Sequence, residues 1–260
     1  HYLEPHGPYH APFPYPRAGS DPGPWIPLAG GDIAPRGFLP RYQFLPECRG
    51  RNDYAVRYRS SAQWALDEAD RLLTMAEKQG WLRDAVVVFT SDHGEFLGES
   101  DFWFQHGIRL HPAVVRVPLV VARTTGEPRS QETRAVSHLD FVPTMATLLA
   151  LHAPAGLPGH DLFGRSVSRK TPILVENISF PDSAEVGVVQ NDRLVIKSTE
   201  SAPESFQIGR EDWPQAAGEI SREAVTAVDG ELQRVRKLPI PTRKVPPEEI
   251  QKLRALGYIR

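Results

Sequence analysis

The stretch VVVFTSDHGEFLGESDFWFQHG, residues 86–107, decides the fold. From Ala85 every position is apolar until Thr90, with no polar alternation, and such a run suits a strand covered on both faces, as in a parallel sheet. Ligands of parallel sheets sit beyond the carboxyl ends of the strands, where loops and helix ends converge. Asp92 and His93 occupy that place. A carboxylate and an imidazole side by side can both turn toward one divalent cation, with Gly94 letting the backbone turn sharply behind them. In an isolated Asp-His-Gly the plainer reading is a turn cap beside a surface histidine. A second His-Gly pair, His106 and Gly107, follows a loop holding Trp103, Phe102 and Phe104. That separation lets the loop leave the strand end and return, so that His106 can bind or protonate an anionic group over the metal.

Working outward, Ala62, Ala65, Leu66, Ala69, Leu72, Leu73 and Ala76 recur at three- and four-residue intervals and Gly80 follows them, which predicts an amphipathic helix over 58–79. RVPLVVA, residues 116–122, reads as a second strand, with Pro118 near its start where a lost amide donor does least harm. DFVPTMATLLAL, residues 140–151, reads as a helix with Asp140 as N-cap and Pro143 in its first turn. The order helix, strand, loop, strand, helix predicts a layered α/β domain, a sheet flanked by helices, over residues 1–165. The proline-rich, glycine-rich and aromatic residues 1–50 are expected to form an ordered loop packed by Trp25 and Phe38.

Beyond Gly164 the texture changes. ILVE (173–176), VGVVQ (186–190) and RLVIK (193–197) are short strand patterns, and Asn191 and Asp192 suit a tight hairpin between the last two. Residues 166–260 are therefore expected to form a small antiparallel-sheet subdomain. PPEEIQKLRALGY adds a short capped helix near the end, and the polar residues 200–231 are expected to be mobile.

Composition narrows the partners. The 260 residues are 40% hydrophobic and 24% charged with a formal net charge of -2, the profile of an ordinary globular protein with no electrostatic footprint for nucleic acid or an anionic membrane. No apolar run approaches the roughly 20 residues of a membrane helix. Cys48 is the only cysteine, which excludes an internal disulfide and cysteine-rich zinc spacings and leaves the compartment undetermined.

With these segments in hand, the chain resembles the C-terminal part of a sulfatase, in the alkaline phosphatase superfamily. VVVFTSDHGEFLGE is similar to that family's strand and metal loop, HYLEPHGPY (1–9) to its histidine loop, WFQHG with VVRVPLVVA to the segment entering its next strand, and VSHLDFVPTMATLLAL and IQKLRALGYI to later ones. The resemblance implies an alkaline phosphatase-like fold and hydrolysis of sulfate monoesters of a small molecule or carbohydrate. It makes Asp92 and His93 ligands of a divalent cation, calcium first, with magnesium or manganese as alternatives because an imidazole accompanies the carboxylate. It gives His6 contact with the sulfate ester, and gives His106 the task of holding the sulfate and assisting the leaving oxygen. His1 ranks lower, and His10 is a bystander. A metal with protonated imidazoles suits this chemistry, because negative charge builds as the ester bond breaks.

Sulfatases resemble one another most in a segment bearing further metal-binding acids and Cys-x-Pro-x-Arg or Ser-x-Pro-x-Arg, whose Cys or Ser becomes formylglycine. Cys48, in CRGRN, lacks both the Pro and the Arg at the required places; Ser179 in SFPDS and Ser201 in SAPES have the Pro but not the Arg; and there is no Asp-Asp pair. The chain, which opens at His1, is therefore expected to be a fragment that carries about half of a site and is inactive alone, with formylglycine belonging to an upstream segment. Two other readings stand beside this one: a phosphodiesterase or phosphonate monoester hydrolase of the same superfamily, which uses the same groups on phosphorus, and a non-catalytic binding module of the same fold.

Overall fold

The computed structural model describes residues 21–125, 135–164, 172–177, 184–190, 192–208, 218, 220–237, 246–248 and 251. Helix α1 spans Arg51–Lys78, one and a half to two turns longer at its start than the periodicity predicts. Those early turns are polar in sequence, but they bury Tyr54, whose ring lies 5.3 Å from Phe104 and whose hydroxyl accepts from the Leu45 amide at 3.1 Å. Gly80 ends the helix at φ +75, the left-handed conformation that glycine adopts most readily there. The predicted apolar stripe, however, leaves Leu66, Leu72 and Leu73 exposed, and Met75 beside it is exposed as well.

Strand β1, Val86–Thr90, pairs with β4, Leu119–Arg123, from Val86 opposite Arg123 to Thr90 opposite Leu119. The pairing is antiparallel, and the faces are half open, with the cross-strand pair Phe89 and Val120 both exposed. This corrects the expectation of a parallel sheet covered on both sides. An unbroken apolar run carries no information on strand direction, and its reading as doubly covered assumes neighbours that are not among the described residues. Between these strands lie β2, Phe96–Leu97, and β3, Trp103–Gln105, a small antiparallel pair, and the single-turn helix α2, Pro112–Val115.

Of the loop expected over residues 1–50, residues 1–20 lie outside the described residues, and residues 21–50 pack through Ile26, Leu39, Leu45 and Cys48 rather than through Trp25 and Phe38, which stay exposed. They grip β3 with polar contacts: Gln43 Nε2 donates to the Phe104 carbonyl at 2.9 Å, and Gln105 exchanges hydrogen bonds with both backbone groups of Ala34 at 3.2 and 3.3 Å. Cys48 is buried, and desolvation pushes its thiol up to about 11, so it stays an inert thiol at neutral pH.

Helix α3 spans Phe141–Leu148, shorter than predicted at its end. Asp140 does not cap it through its side chain. It closes a capping box with Ser137 in the preceding turn and accepts from the His160 amide at 2.8 Å.

The C-terminal part forms a four-stranded antiparallel sheet in the order β5 (Ile173–Asn177), β6 (Glu185–Gln190), β7 (Arg193–Ser198) and β8 (Glu204–Gln207). The hairpin closes with Gln190 opposite Arg193 and Asp192 at φ +59. Strand alternation divides its apolar residues: Val186, Val188 and Val195 pack on helix α4, Arg222–Arg236, while Val189, Leu194, Ile196 and Phe206 pack on Leu110. Both β8 and α4 fall wholly or partly within residues expected to be mobile. The polar average there hid Ser221 as N-cap and Ala224, Val228, Leu232 and Val235 at helical spacing. Of the predicted terminal helix, Pro247, Glu248 and Gln251 are helical and the rest lies outside the described residues. Among the described residues no helix is long and apolar enough to cross a membrane.

Candidate functional site

Ser91, Asp92 and His93 leave the end of β1 in a tight loop. The Asp92 Oδ1 accepts from the His93 amide at 2.9 Å, and Ser91 Oγ donates to the His93 carbonyl at 2.8 Å. Gly94 serves close approach more than a sharp turn, because a Cβ there would lie 2.0 Å from the Ala113 carbonyl oxygen, and its amide donates to the Val114 carbonyl at 2.7 Å. Helix α2 thus sits directly against the backbone behind Asp92 and His93.

His93 Nδ1 lies 2.9 Å from the Gly94 carbonyl oxygen, a contact that requires the proton on Nδ1 and leaves the Nε2 lone pair as the ligating one. That Nε2 is 3.6 Å from Asp92 Oδ2. The donor set, one carboxylate oxygen and one imidazole nitrogen on the same edge, fits a divalent cation as two of its ligands. Among the described residues no group of three or more His, Cys, Asp or Glu side chains is arranged to hold a metal.

The loop does return. The His106 ring stacks on that of His93 with centroids 4.0 Å apart and a tilt of 30°. His106 Nδ1 lies 3.3 and 3.4 Å from the two carboxylate oxygens of Glu95, whose side chain is only 8% exposed, so the carboxylate fixes the proton on Nδ1 and turns Nε2 away from itself. Glu95 is the residue that sequence reading missed. Its position directly after Asp-His-Gly, with His106 returning to the same edge, is the signal that was there to use. Behind it, burial raises the Tyr58 phenol above its ordinary range, helped by the charges of Glu95 and Glu99, and burial also raises the Glu99 carboxyl. The acid side chains behind the histidines are therefore held in a dry environment. His138, not singled out from sequence, reaches the same strand end, with Nε2 3.2 Å from Thr90 Oγ1, whose hydroxyl donates to the Pro118 carbonyl at 2.8 Å. His1, His6 and His10 lie outside the described residues.

Asp92, His93 and His106 are thus one cluster at the end of an apolar strand. The sulfatase family model matches residues 1–151. The chain belongs to the sulfatase family. Over 90 residues it is 34% identical to the uncharacterized sulfatase YidJ of Escherichia coli, covering 35% of this chain and 17% of that protein. Over 100 residues it is 33% identical to an N-acetylglucosamine-6-O-sulfatase of Bacteroides thetaiotaomicron, covering 38% of this chain and 18% of that protein. The solved structure of BT4656 in complex with its substrate D-glucosamine-2-N,6-O-disulfate superposes with a TM-score of 0.53 at 20% identity, over 71% of this chain and 41% of that one. The fold of this sulfatase chain is accordingly the layered, alkaline phosphatase-like one, with the small antiparallel sheet C-terminal to it. The chain spans less than half the length of these relatives. Sulfatases generally use a metal ion.

Proposed function

We propose that these residues form the metal-and-anion half of a site that hydrolyses sulfate monoesters, with a sulfated carbohydrate as the substrate class. The observation that supports this reading is the 4.0 Å ring contact between His93 and His106, which sets the His106 imidazole beside the Asp92 and His93 edge. Asp92 Oδ2 and His93 Nε2 would hold the cation, calcium in the first instance and magnesium or manganese otherwise. The cation supplies charge neutralisation at a sulfate oxygen. His106, in its doubly protonated form, presents its Nε2–H to the same anion and gives that proton toward the leaving oxygen, while Glu95 holds its ring through Nδ1–H. His6 contacts the ester from the histidine loop in this reading. The carbohydrate class rests on a relative named N-acetylglucosamine-6-O-sulfatase and on a similar structure solved with a glucosamine disulfate.

The nucleophile in this reading is a formylglycine outside these 260 residues, and the chain by itself does not turn over. Purified 260-residue chain is expected to release no product from an aryl sulfate at millimolar calcium; turnover abolished by a chelator would refute the half-site reading. In a chain that carries the family's Cys/Ser-x-Pro-x-Arg motif ahead of His1, aryl sulfate hydrolysis should require calcium and fall roughly 10²–10³-fold in His106→Ala. A faster rate on the matched aryl phosphate would move the assignment to phosphoester hydrolysis, and turnover of neither ester would leave a binding module.

A further inference from the structure

The loop that follows His106 is held from the far side by the C-terminal sheet. Asn177 Nδ2 donates to the Gly107 carbonyl at 3.2 Å. The Leu110 amide donates to Glu185 Oε2. Asn177 and Glu185 are cross-strand partners at one end of β5 and β6, so a single edge of the sheet takes hold of the loop at both ends of residues 107–110. Between those two points Arg109 reaches Glu204 Oε1 at 2.9 Å and lies 3.8 Å from Glu185 Oε1, with its guanidinium over the Phe102 ring at 5.9 Å. Leu110 is buried among Ile173, Val189, Leu194 and Phe206. Gly107 takes φ +74, in a bend directly after His106 at the first grip point.

We propose that Asn177 and Glu185 are positioning residues for His106, and that the C-terminal sheet is a clamp that sets the anion-binding imidazole against His93. The assignment rests on His106 holding an anion, but the clamp itself is a statement about where the ring is held. The loop residues between Gly107 and Leu110 form no secondary structure of their own, and their anchoring polar groups would otherwise have to be satisfied by water. The clamp supplies a donor, Asn177 Nδ2, to the Gly107 carbonyl and an acceptor, the Glu185 carboxylate, to the Leu110 amide, and Arg109 neutralises that carboxylate. On the other side Glu95 fixes the ring itself. Besides its stacking on His93, His106 is thus held through Glu95 on the imidazole and through Asn177 on the adjoining carbonyl.

The test reads the imidazole directly. Diethylpyrocarbonate labelling of the full chain, followed peptide by peptide by mass spectrometry, gives the rate at His106 relative to exposed His152, with buried His111 reporting whether the fold is intact. Asn177→Asp removes the donor without changing size, and Glu185→Leu removes the acceptor; each is expected to raise the relative His106 rate about five-fold or more while His111 stays protected. Glu185→Gln keeps an oxygen for the Leu110 amide and should return the rate to within about two-fold of the parent. If Glu185→Leu exposes His111, Asn177→Asp decides. An unchanged His106 rate in Asn177→Asp with His111 protected overturns the clamp, as does a Glu185→Gln rate equal to that of a folded Glu185→Leu. Inorganic sulfate is added in a separate arm: its failure to slow labelling of parental His106 counts against the anion site and leaves the clamp result standing.

Discussion

His111 is 4% exposed, wedged between the rings of Phe96 and Phe206, while its Nδ1 accepts from the Ala113 amide as the N-cap of α2. Burial, reinforced by the Arg109 guanidinium and only partly offset by Glu204, pushes its imidazole down to about 4. The unfolded chain takes up this proton near pH 6.5, so between about 6.5 and 4 the unfolded state binds a proton that the folded state refuses. Stability from this residue is complete above about pH 6.5 and is lost progressively as pH falls to 4, on the order of 3 kcal/mol in all. Glu185 and Glu99 act in the opposite sense, because burial raises both carboxyls and the folded state protonates first. His111→Asn separates the two effects, since asparagine keeps an N-cap acceptor and does not titrate. The variant should lose less of its denaturation midpoint than the parent between pH 7 and 5 in urea titrations. Parallel losses in the two proteins would show that His111 is not the titrating group.

At the scale of elements, what could be read from the sequence depended on whether a pattern was local. The hairpin pairing Gln190 with Arg193, the strand into Asp92 and the helix after Asp140 all carried their signals within a few residues, and each formed. The cluster of Asp92, His93 and His106 was legible for the same reason: a strand end delivers the first two, and a return loop the third. Glu95 was not, because its role exists only once the loop has closed on His106. Nor were Asn177 and Glu185, which lie about 70 residues from the loop they hold. Strand direction was misjudged because pairing is a tertiary choice that an apolar run does not encode. Helix α4 failed for another reason, a real 3.6-residue pattern set inside a polar stretch. Val228 at its centre is fully buried against β6 and β7, so Val228→Ala should cost about 1.5–3 kcal/mol in unfolding free energy. Thr226→Ala, on the exposed face, should cost under about 0.5 kcal/mol in the same measurement. Equal costs at the two positions would mean that α4 does not pack on the sheet.

Over the whole molecule, apolar surface is unevenly covered. The C-terminal sheet has α4 on one face and Leu110 on the other, and its central valines are fully buried. The sulfatase-matched part instead leaves Trp81 66% exposed, with Leu72 and Met75 on α1, Phe89 and Val120 on the β1 and β4 pair, and Val142, Leu149 and Leu151 at α3 also exposed. A two-stranded sheet is marginal unless something packs on it, and apolar residues on helices and sheet faces are what a layered domain normally buries. The 260-residue chain should therefore bind an apolar dye such as ANS strongly and run in light scattering above its 29.0 kDa monomer mass at tens of micromolar. A triple variant, Leu72→Gln with Met75→Lys and Val120→Thr, should lower both signals while far-UV circular dichroism is unchanged. A monomer that ignores the dye would mean that these side chains are covered, and the layered half of the molecule would then be complete without further surface to pair with. Strong dye binding that the triple variant leaves unchanged would place the sticky surface elsewhere, and the α3 positions Val142 and Leu149 would be the next to exchange.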